Sequence, residues 1–439
     1  MSDSRVLTRF SVLPDRAAIR SKAHGTFQSV RESPNYRRYI SGQVISMAGT
    51  WMQTVALGWL VLQLTHSGTA LGLVYACQFL PVLVFAPWGG VIVDRLDTRR
   101  LLVCTQAVAG ILALALGVLT VTNVVQLWMV YVLAILLGIV TAVDNPARQT
   151  FVLELVGPET LSNAITLNSV AINLARIVGP AIAGLVIALV GIGPCFIING
   201  GSFAAVIVAL MLIDRRELHP RTVVPRAKGQ VREGLRYVWS VPALRGPLVL
   251  MAVVGTFTYE FQVTLPLVAK YTFDGSALML SLFTGAMGVG AVVGGLVTAS
   301  RSRSGIGPLI RVTLALGVLV TLVALAPTPV VAAVLLVFAG VASISFLAVG
   351  NTTLQLAADP GMRGRVMAIW TMALLGSTPI GGLFVGWIGQ WAGARWSLAV
   401  GGVAAVLASG YAWREQRIAT REGGPTVTAP EPGPAALVN

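Results

Sequence analysis

The chain has 439 residues, 55% of them hydrophobic and 11% charged, with a mean hydropathy of +0.80. A soluble domain carries roughly a quarter charged residues, so this is a membrane chain; at about 20 apolar residues per crossing, its length holds about twelve crossings with short links and no large soluble domain. The net charge of +14 does not signal nucleic acid, because arginine and lysine are confined to the tails and to alternate links between apolar runs.

In chain order, residues 1–38 form a polar, Arg-rich tail. The first apolar run begins near Tyr39 without a small-residue cleavage site, which predicts a retained helix and not a signal peptide. Spanning helices are expected at about 39–63, 70–93, 100–122, 126–146, 162–190 and 194–213, then at about 243–268, 276–299, 306–326, 329–352, 364–389 and 394–412. The expected organisation is a cytoplasmic tail (1–38), a six-helix bundle (39–213), a cytoplasmic linker (214–242), a second six-helix bundle (243–412) and a Pro/Gly-rich tail (413–439) that reads as disordered. Within the linker, Val231 to Trp239 sets apolar residues at helical spacing beside basic ones, as in a helix lying on the membrane interface.

Basic residues orient the chain. One side receives the first tail, Arg95, Arg99, Arg100, Arg148, the linker arginines, Arg301, Arg303, Arg311, Arg363, Arg365 and the second tail; the other receives Lys270 and Arg395. The positive-inside rule places both termini in the cytoplasm, and the alternation holds only for an even number of helices.

The halves echo each other. Ala142-Val143-Asp144-Asn145 ends the fourth helix and Ala348-Val349-Gly350-Asn351 the tenth; Pro158 and Pro360 follow, then helices bearing Pro180 and Pro379. The eighth helix ends in Gly294-Gly295-Leu296-Val297-Thr298-Ala299-Ser300-Arg301, a copy of the Gly89–Arg95 stretch without its acid. Two parallel repeats with a site between them is a transporter architecture.

Several polar residues stand out against this background. Gln43, Ser46, Thr50 and Gln53 recur three and four apart on the first helix, as do Ser162, Thr166, Ser169, Asn173, Arg176 and Pro180 on the fifth. Such stripes face either protein or a water-filled cavity, since polar groups are costly in lipid. A permanently charged Arg176 within a span needs an acid, an anionic ligand or water. Glu260, in Thr256-Phe257-Thr258-Tyr259-Glu260-Phe261-Gln262, is its natural counterpart, and a carboxyl so placed can load and release a proton near neutral pH. Tyr259 beside it is expected at the cavity. Asp144 and Arg148 flank Pro146 near the cytoplasmic end of the fourth helix, where they read as gate charges. Gly179, Pro180 and Gly184 supply close packing and a bend.

Cys77, Cys104 and Cys195 read as small hydrophobes, and His24, His66 and His219 show no metal spacing. The chain has no G-x-x-x-x-G-K-[ST] phosphate loop, metal cluster or nucleophile–base set, which argues against an ATP-driven pump and against an enzyme.

The link from Gly90 to Arg100, G-x-x-x-D-R-x-x-x-R-R, resembles the cytoplasmic signature of the major facilitator superfamily. The usual form is one residue shorter after D-R and has a glycine where this loop has Asp97. With Asp144-Asn145-Pro146-Ala147-Arg148-Gln149, Ser162-Asn163-Ala164-Ile165, Gly179-Pro180 and Phe261-Gln262-Val263-Thr264-Leu265-Pro266, the chain is similar to the bacterial exporter branch that includes the enterobactin exporter and macrolide or multidrug efflux proteins. The resemblance implies an all-α integral membrane protein with twelve transmembrane helices in two pseudo-symmetric six-helix bundles. It implies a proton-driven antiporter that acts as a monomer on a small-molecule substrate in the cytoplasmic membrane, without a cofactor. Gly90, Asp94, Arg95, Arg99 and Arg100 would form the cytoplasmic gate, Asp94 approaching the start of the eleventh helix near Arg363 and Arg365. Glu260 would carry the proton and Arg176 would modulate it or touch substrate. Thr166 and Ala175 stand where the antiporter pattern prefers glycine, so an importer or lipid transporter on the same fold stays open, as does a non-transporting scaffold or sensor.

Overall fold

The computed structural model describes residues 28–219, 230–301 and 304–421. Among these residues the regular structure is entirely helical, and eleven helices are long and apolar enough to cross a membrane. One of them, Leu127–Val190, runs for 64 residues. At 1.5 Å per residue that is about 96 Å, three times the apolar thickness of a bilayer. Gly157, at φ +69°, breaks it into two spans, so the chain crosses twelve times.

We number the helices α1 (Gln28–Glu32), α2 (Pro34–Thr65), α3 (Gly68–Arg95), α4 (Thr98–Val121), α5 (Leu127–Val190), α6 (Gly193–Met211), α7 (Gln230–Ser240), α8 (Pro242–Val253), α9 (Phe261–Leu267), α10 (Ala277–Arg301), α11 (Ile306–Leu325), α12 (Pro329–Ala357), α13 (Arg363–Trp391) and α14 (Ala394–Arg421). An even number of crossings puts the start of α2 and the end of α14 on one face, here called the termini face.

Local chemistry explains where the helices begin. The side chains of Ser33, Ser67, Asp97 and Thr328 cap α2, α3, α4 and α12 by accepting from Tyr36 N, Ala70 N, Arg100 N and Val331 N, and Pro34 and Pro329 occupy first-turn positions. Large apolar side chains such as Ile111, Leu189 and Leu296 are more than 60% exposed, as expected of surfaces solvated by lipid.

Three segments differ from the sequence expectation. The chain is already helical at Gln28, ahead of the expected start near 39. Ser29 Oγ donates to Asn163 Oδ1 (2.5 Å), Asn35 exchanges hydrogen bonds with the Asp214 backbone (2.8 and 3.0 Å), and Tyr36 is buried with its hydroxyl on Ala164 O (2.8 Å). At the other end α14 continues past Trp413 to Arg421, with Arg417 stacked 3.7 Å over the Trp413 ring. Residues 1–27 and 422–439, which hold the rest of the expected tails, lie outside the described residues. The seventh span is not one regular helix. It is α8, a π-turn over Val254–Thr258, a break at Tyr259 and Glu260, then α9 and a second π-turn over Val268–Thr272.

The packing repeats between halves: the second span packs on the fourth and the third on the sixth (α3 on α5, α4 on α6), and their counterparts do the same (α10 on α12, α11 on α14). The halves meet along two seams, α3 against α13 and α5 against α10. In the first, Gly72 faces Gly382 and Gly386 faces Gly68, so closely that a Cβ on either Gly72 or Gly386 would collide with the facing backbone carbonyl. In the second, a Cβ on Gly184 would sit 2.8 Å from Ser281 Cβ, and one on Gly288 would sit 3.0 Å from the Arg176 carbonyl. The seam contacts cluster toward the face opposite the termini. There Lys270 Nζ donates to Leu62 O (2.6 Å) at the end of α2, and Gly68 N donates to Gln390 Oε1 (2.7 Å) at the start of α3. The second bond satisfies a first-turn N–H that lacks an intrahelical partner, and the first adds a charged donor to a carbonyl that already accepts from His66 N (3.1 Å).

The glycine seam makes a direct prediction. Gly72→Leu should force α3 and α13 apart. With Cys77, Cys104 and Cys195 replaced by serine, a Thr54→Cys reporter should then react several-fold faster with a membrane-impermeant thiol reagent from the face opposite the termini. An unchanged labelling rate would show that the glycines do not hold that face shut.

Candidate functional site

A cavity of about 840 Å³ lies within the first half and opens toward the termini face. Its mouth is formed by the exposed residues Gln149, Leu153 and Ile165, near the Gly157 break. Gln43, Ser46, Thr50 and Gln53 all line it, each about one helical turn deeper than the last. Gln53 Oε1 accepts from Asn199 Nδ2 (2.6 Å), while Gln43 Oε1 is buried without a partner.

The expected stripe on the fifth span is rotated. Ser169 and Asn173 lie outside the lining; Ile165, Asn168 and Ile172 take the cavity positions. Ser169 Oγ and Asn173 Nδ2 instead donate back to Ile165 O and Ser169 O along their own helix. One residue along a helix turns a side chain by about 100°, so a stripe read one position off points elsewhere. Gln78, Gln106, Asn145, Gln149, Asn168 and Asn199 add amide groups to the lining beyond the expected cavity residues.

Asp144 and Arg148 form an ion pair one turn apart on α5 and line the same cavity. Asp144 is 7% exposed and also accepts from Thr105 Oγ1 (2.6 Å) and Gln106 Nε2 (2.7 Å). They are therefore cavity residues that neutralise each other, not only charges at the mouth.

A second, smaller cavity of about 150 Å³ lies between the halves. The first half contributes Trp51, Thr54, Val55, Tyr75 and Arg176; the second contributes Tyr259, Gln262 and Ser343 among others. Tyr259 hydroxyl donates to Ser343 O (2.7 Å) and accepts from Ser343 Oγ (2.5 Å). The Arg176 guanidinium stacks 4.8 Å from the centre of the Trp51 ring, and its Nε is buried with no hydrogen-bond partner.

The expected pairing of Arg176 with Glu260 is not formed. Glu260 is 3% exposed and points away from this cavity, into α13. A Cβ on Gly381 would lie 3.0 Å from its Oε1, and one on Gly382 would lie 3.4 Å from its Oε2; Thr378 faces the carboxyl, and Oε1 has no hydrogen-bond partner. The broken seventh span causes this. Tyr259 and Glu260 are adjacent at the break, so their side chains leave in different directions, one into the inter-half cavity and the other into the α13 seam.

Two groups of residues that meet across the halves, an open cavity at one face and a glycine seam at the other make a recognisable constellation, and comparison with known proteins identifies it. A family model described as transmembrane secretion effector matches residues 30–433. The chain belongs to this family of the major facilitator superfamily. It is 29% identical over 358 residues to the multidrug efflux pump Tap of Mycolicibacterium fortuitum, a match that covers 79% of this chain and 87% of that protein. It is 32% identical over 152 residues to the staphyloferrin A transporter of Staphylococcus aureus, covering 34% and 38%. Among solved structures, an inward-facing, unoccupied bacterial homologue of the lysosomal transporter Spinster superposes with a TM-score of 0.68 at 15% identity, over 88% of this chain and 97% of that one. These proteins are membrane transporters, and the fold is the major facilitator fold.

The superfamily signature lies at the termini face. Gly90 is buried on α3, beside Gly89, whose absent side chain admits the Ala142 backbone. Asp94 is half-buried and already partnered. Arg99 Nε and Nη2 donate to Leu210 O (2.6 Å) and Met211 O (2.7 Å), closing the end of α6, so this arginine braces the first half from within. Arg95 and Arg100 are exposed. Arg363 Nε donates to Ala358 O (3.3 Å), and Arg365 pairs with Glu233 of α7 (2.6 Å). A second bond, Asp359 N to Tyr237 hydroxyl (3.1 Å), docks α7 on the α12–α13 link, leaving Leu235 and Trp239 exposed as an interfacial helix would. In the packing motif of the fifth span, Gly179 meets α2 at Trp51 within the half, and Gly184 meets α10 across the seam.

The cavity pair can be tested by stability. Asp144→Ala strands a partly buried Arg148 together with two donors, which should cost about 3 to 5 kcal/mol and lower the melting temperature of the detergent-purified protein. An unchanged melting temperature would show that Arg148 finds water or another acceptor at no cost.

Proposed function

We propose that this exporter is a proton-coupled secondary transporter that moves amphipathic small molecules, drugs or siderophore-like metabolites, outward by alternating access. The names of two relatives, a multidrug efflux pump and a staphyloferrin A transporter, support the substrate range, and the first supports the direction. In this reading the chain works as a monomer in the cytoplasmic membrane, and the proton gradient is its energy source. The termini face is cytoplasmic, as the arginine distribution favours, and the structure is the inward-open state with its outer face closed.

The observation that carries the reading is the position of Glu260. A carboxyl without a counter-charge is buried beside Gly381 and Gly382, and Gly382 is where α13 touches α3. While that seam is shut, the site accommodates the neutral acid, because a buried and unpaired carboxylate is costly. When the seam opens, water reaches the same group and the charged form is tolerated. Proton occupancy and seam closure thereby favour each other; exchange further requires that the proton be given up toward the termini face, as substrate binds, before the seam reopens. Substrate enters the larger cavity among Gln43, Ser46, Thr50 and Gln53, and Arg176 and Tyr259 meet it where the halves converge.

At the cytoplasmic face the reverse step closes the cavity. Asp94 then moves to the start of α13, where the partial positive charge of a helix N-terminus favours a carboxylate. Arg363 and Arg365 stand there, and Arg365 exchanges Glu233 for the new partner.

Comparing metabolites and drug retention between a deletion strain and an overexpressing strain tests the direction: export requires the substrate to accumulate in the deletion strain. With a substrate identified that way, Glu260→Gln should abolish proton-driven uptake into inside-out vesicles while leaving binding in place. Uptake that survived the substitution would remove Glu260 from the coupling. Asp94→Asn should slow the appearance of the outward-open state, read by labelling of cysteines placed in the inter-half cavity, and should spare substrate affinity. Lost affinity with normal cycling would move Asp94 from the gate to the binding site.

A further inference from the structure

Trp51 is the wall shared by the two cavities. On one side lies the large chamber of the first half; on the other lies the small chamber between the halves, with Arg176 stacked on the indole. The charges that these chambers offer a passing molecule are strongly one-sided.

In the large chamber the carboxylate is already used. Asp144 is paired with Arg148, and Thr105 and Gln106 take its other acceptor sites. Glu260 lines neither chamber. Among the described residues, therefore, neither chamber presents an unpaired carboxylate to a cationic ligand. The small chamber does present a cation. Arg176 forms no ion pair among the described residues, its Nε is buried without a partner, and the Trp51 ring covers its face but cannot accept at its edge. Stacking of this kind leaves the planar fork of N–H donors directed sideways, the geometry that takes a carboxylate through two parallel bonds.

The neighbouring hydroxyls do not compete for the role. Thr54 donates to Thr50 O (3.0 Å), Thr284 to Leu280 O (2.9 Å), and Tyr259 and Ser343 satisfy each other. That leaves Arg176 as the charged donor of the chamber, with the Gln262 amide beside it. A volume of about 150 Å³ suits a small head group, whereas the apolar and amide-lined 840 Å³ chamber suits the body of a larger molecule.

Resting on the exporter reading above, we infer that the transported molecules carry an anionic group, a carboxylate or equivalent oxyanion, that docks on the free edge of Arg176 while the body lies on the other side of Trp51. The chamber is built from both halves, so an anion held there bridges them. It binds the state in which the halves converge more tightly than states in which they part, which is the differential affinity that drives a conformational change.

The experiment uses the full chain in phosphatidylcholine nanodiscs and three probes that share one aromatic body: 2-naphthoxyacetic acid, its amide, and 2-naphthoxyethylamine. Equilibrium dialysis should find the acid bound at least about tenfold more tightly than the amide or the amine, the margin of one charge-assisted contact. Arg176→Gln should reduce that preference to about twofold or less, and Arg176→Lys should keep part of it. Thr54→Asp, which supplies a carboxylate to the same chamber, should weaken the acid and spare the amide, and it serves also if Arg176→Gln fails to fold. The inference is overturned if the amine binds as well as the acid, if the preference survives both Arg176→Gln and Thr54→Asp, or if the acid does not bind at millimolar concentration. Binding preference is independent of direction and of proton coupling. A deletion strain that accumulates neutral or cationic compounds would sink this inference and leave the exporter reading standing; a preference for acids in a chain that imports would do the opposite.

Discussion

The approach of α3 to α13 through the backbones of Gly68, Gly72, Gly382 and Gly386 is the contact around which the other features are arranged. Lipid tails are as apolar as the helices they bathe, so no hydrophobic force presses the halves together, and adhesion comes from dispersion contacts and a few hydrogen bonds. Glycine lets two helices come close enough for those contacts without interlocking side chains. A seam of that kind can part and close again as a unit, without rotamers having to rearrange, which suits an element with two discrete positions. Polar fastenings between the halves at that face are sparse and lie at helix ends, Lys270 on the last turn of α2 and Gln390 at the first N–H of α3, which has no intrahelical partner.

The buried charges follow the same division between what stays fixed and what moves. Asp144 and Arg148 are one turn apart on a single helix, and Asp144 accepts from two further donors, so their electrostatics are satisfied within the first half whatever the second half does. Arg176 has an aromatic face and no acid; Glu260 has glycines and a threonine. Incomplete satisfaction is tolerable only if something else completes it during the working cycle, such as a ligand, a proton or water. Both incompletely satisfied groups stand at the junction of the halves, so whatever completes them has leverage on the junction. A tight Arg176–Glu260 pair, which the spacing of charges along the chain suggests, would have silenced both.

That mistaken pairing shows where sequence reasoning runs out. Depth in the membrane is legible, because the distance of a residue from the charged links measures it; this is why the twelve crossings and the depth of the Gln43–Gln53 stripe could be read from the chain. Rotation about a helix axis is legible only while the helix is regular. The π-turns before and after Tyr259 and Glu260 spoil the 3.6-residue count; the displacement of Ser169 and Asn173 in favour of Asn168 and Ile172 has a different origin, a regular helix on which two neighbouring faces both carry polar residues. Lys270 counts in the sequence only as a charge on the face opposite the termini, because nothing local reveals that a carbonyl in the last turn of α2 lies within its reach. The first turns at Asn35 and Tyr36 read as tail because their partners, Asp214 and Ala164, are more than a hundred residues away.

The two halves repeat one packing plan, yet their chemistry has separated. The large cavity belongs wholly to the first half, which also keeps the complete signature loop with Asp94 and the paired Asp144 and Arg148. The second half has Gly350 where the first has Asp144, and the copy of the signature ending at Arg301 has no acid, but this half alone has the broken seventh span with Glu260 at the seam. On the proposed reading, one half is equipped to hold a molecule and the other to register a proton. Neither event can finish inside its own half, because Arg176 reaches the inter-half chamber and Glu260 reaches the helix that touches α3. On that reading, coupling between substrate and proton needs no contact between the two residues. It requires only that both act on the same seam, and a rigid half transmits that action as well as a direct bond would.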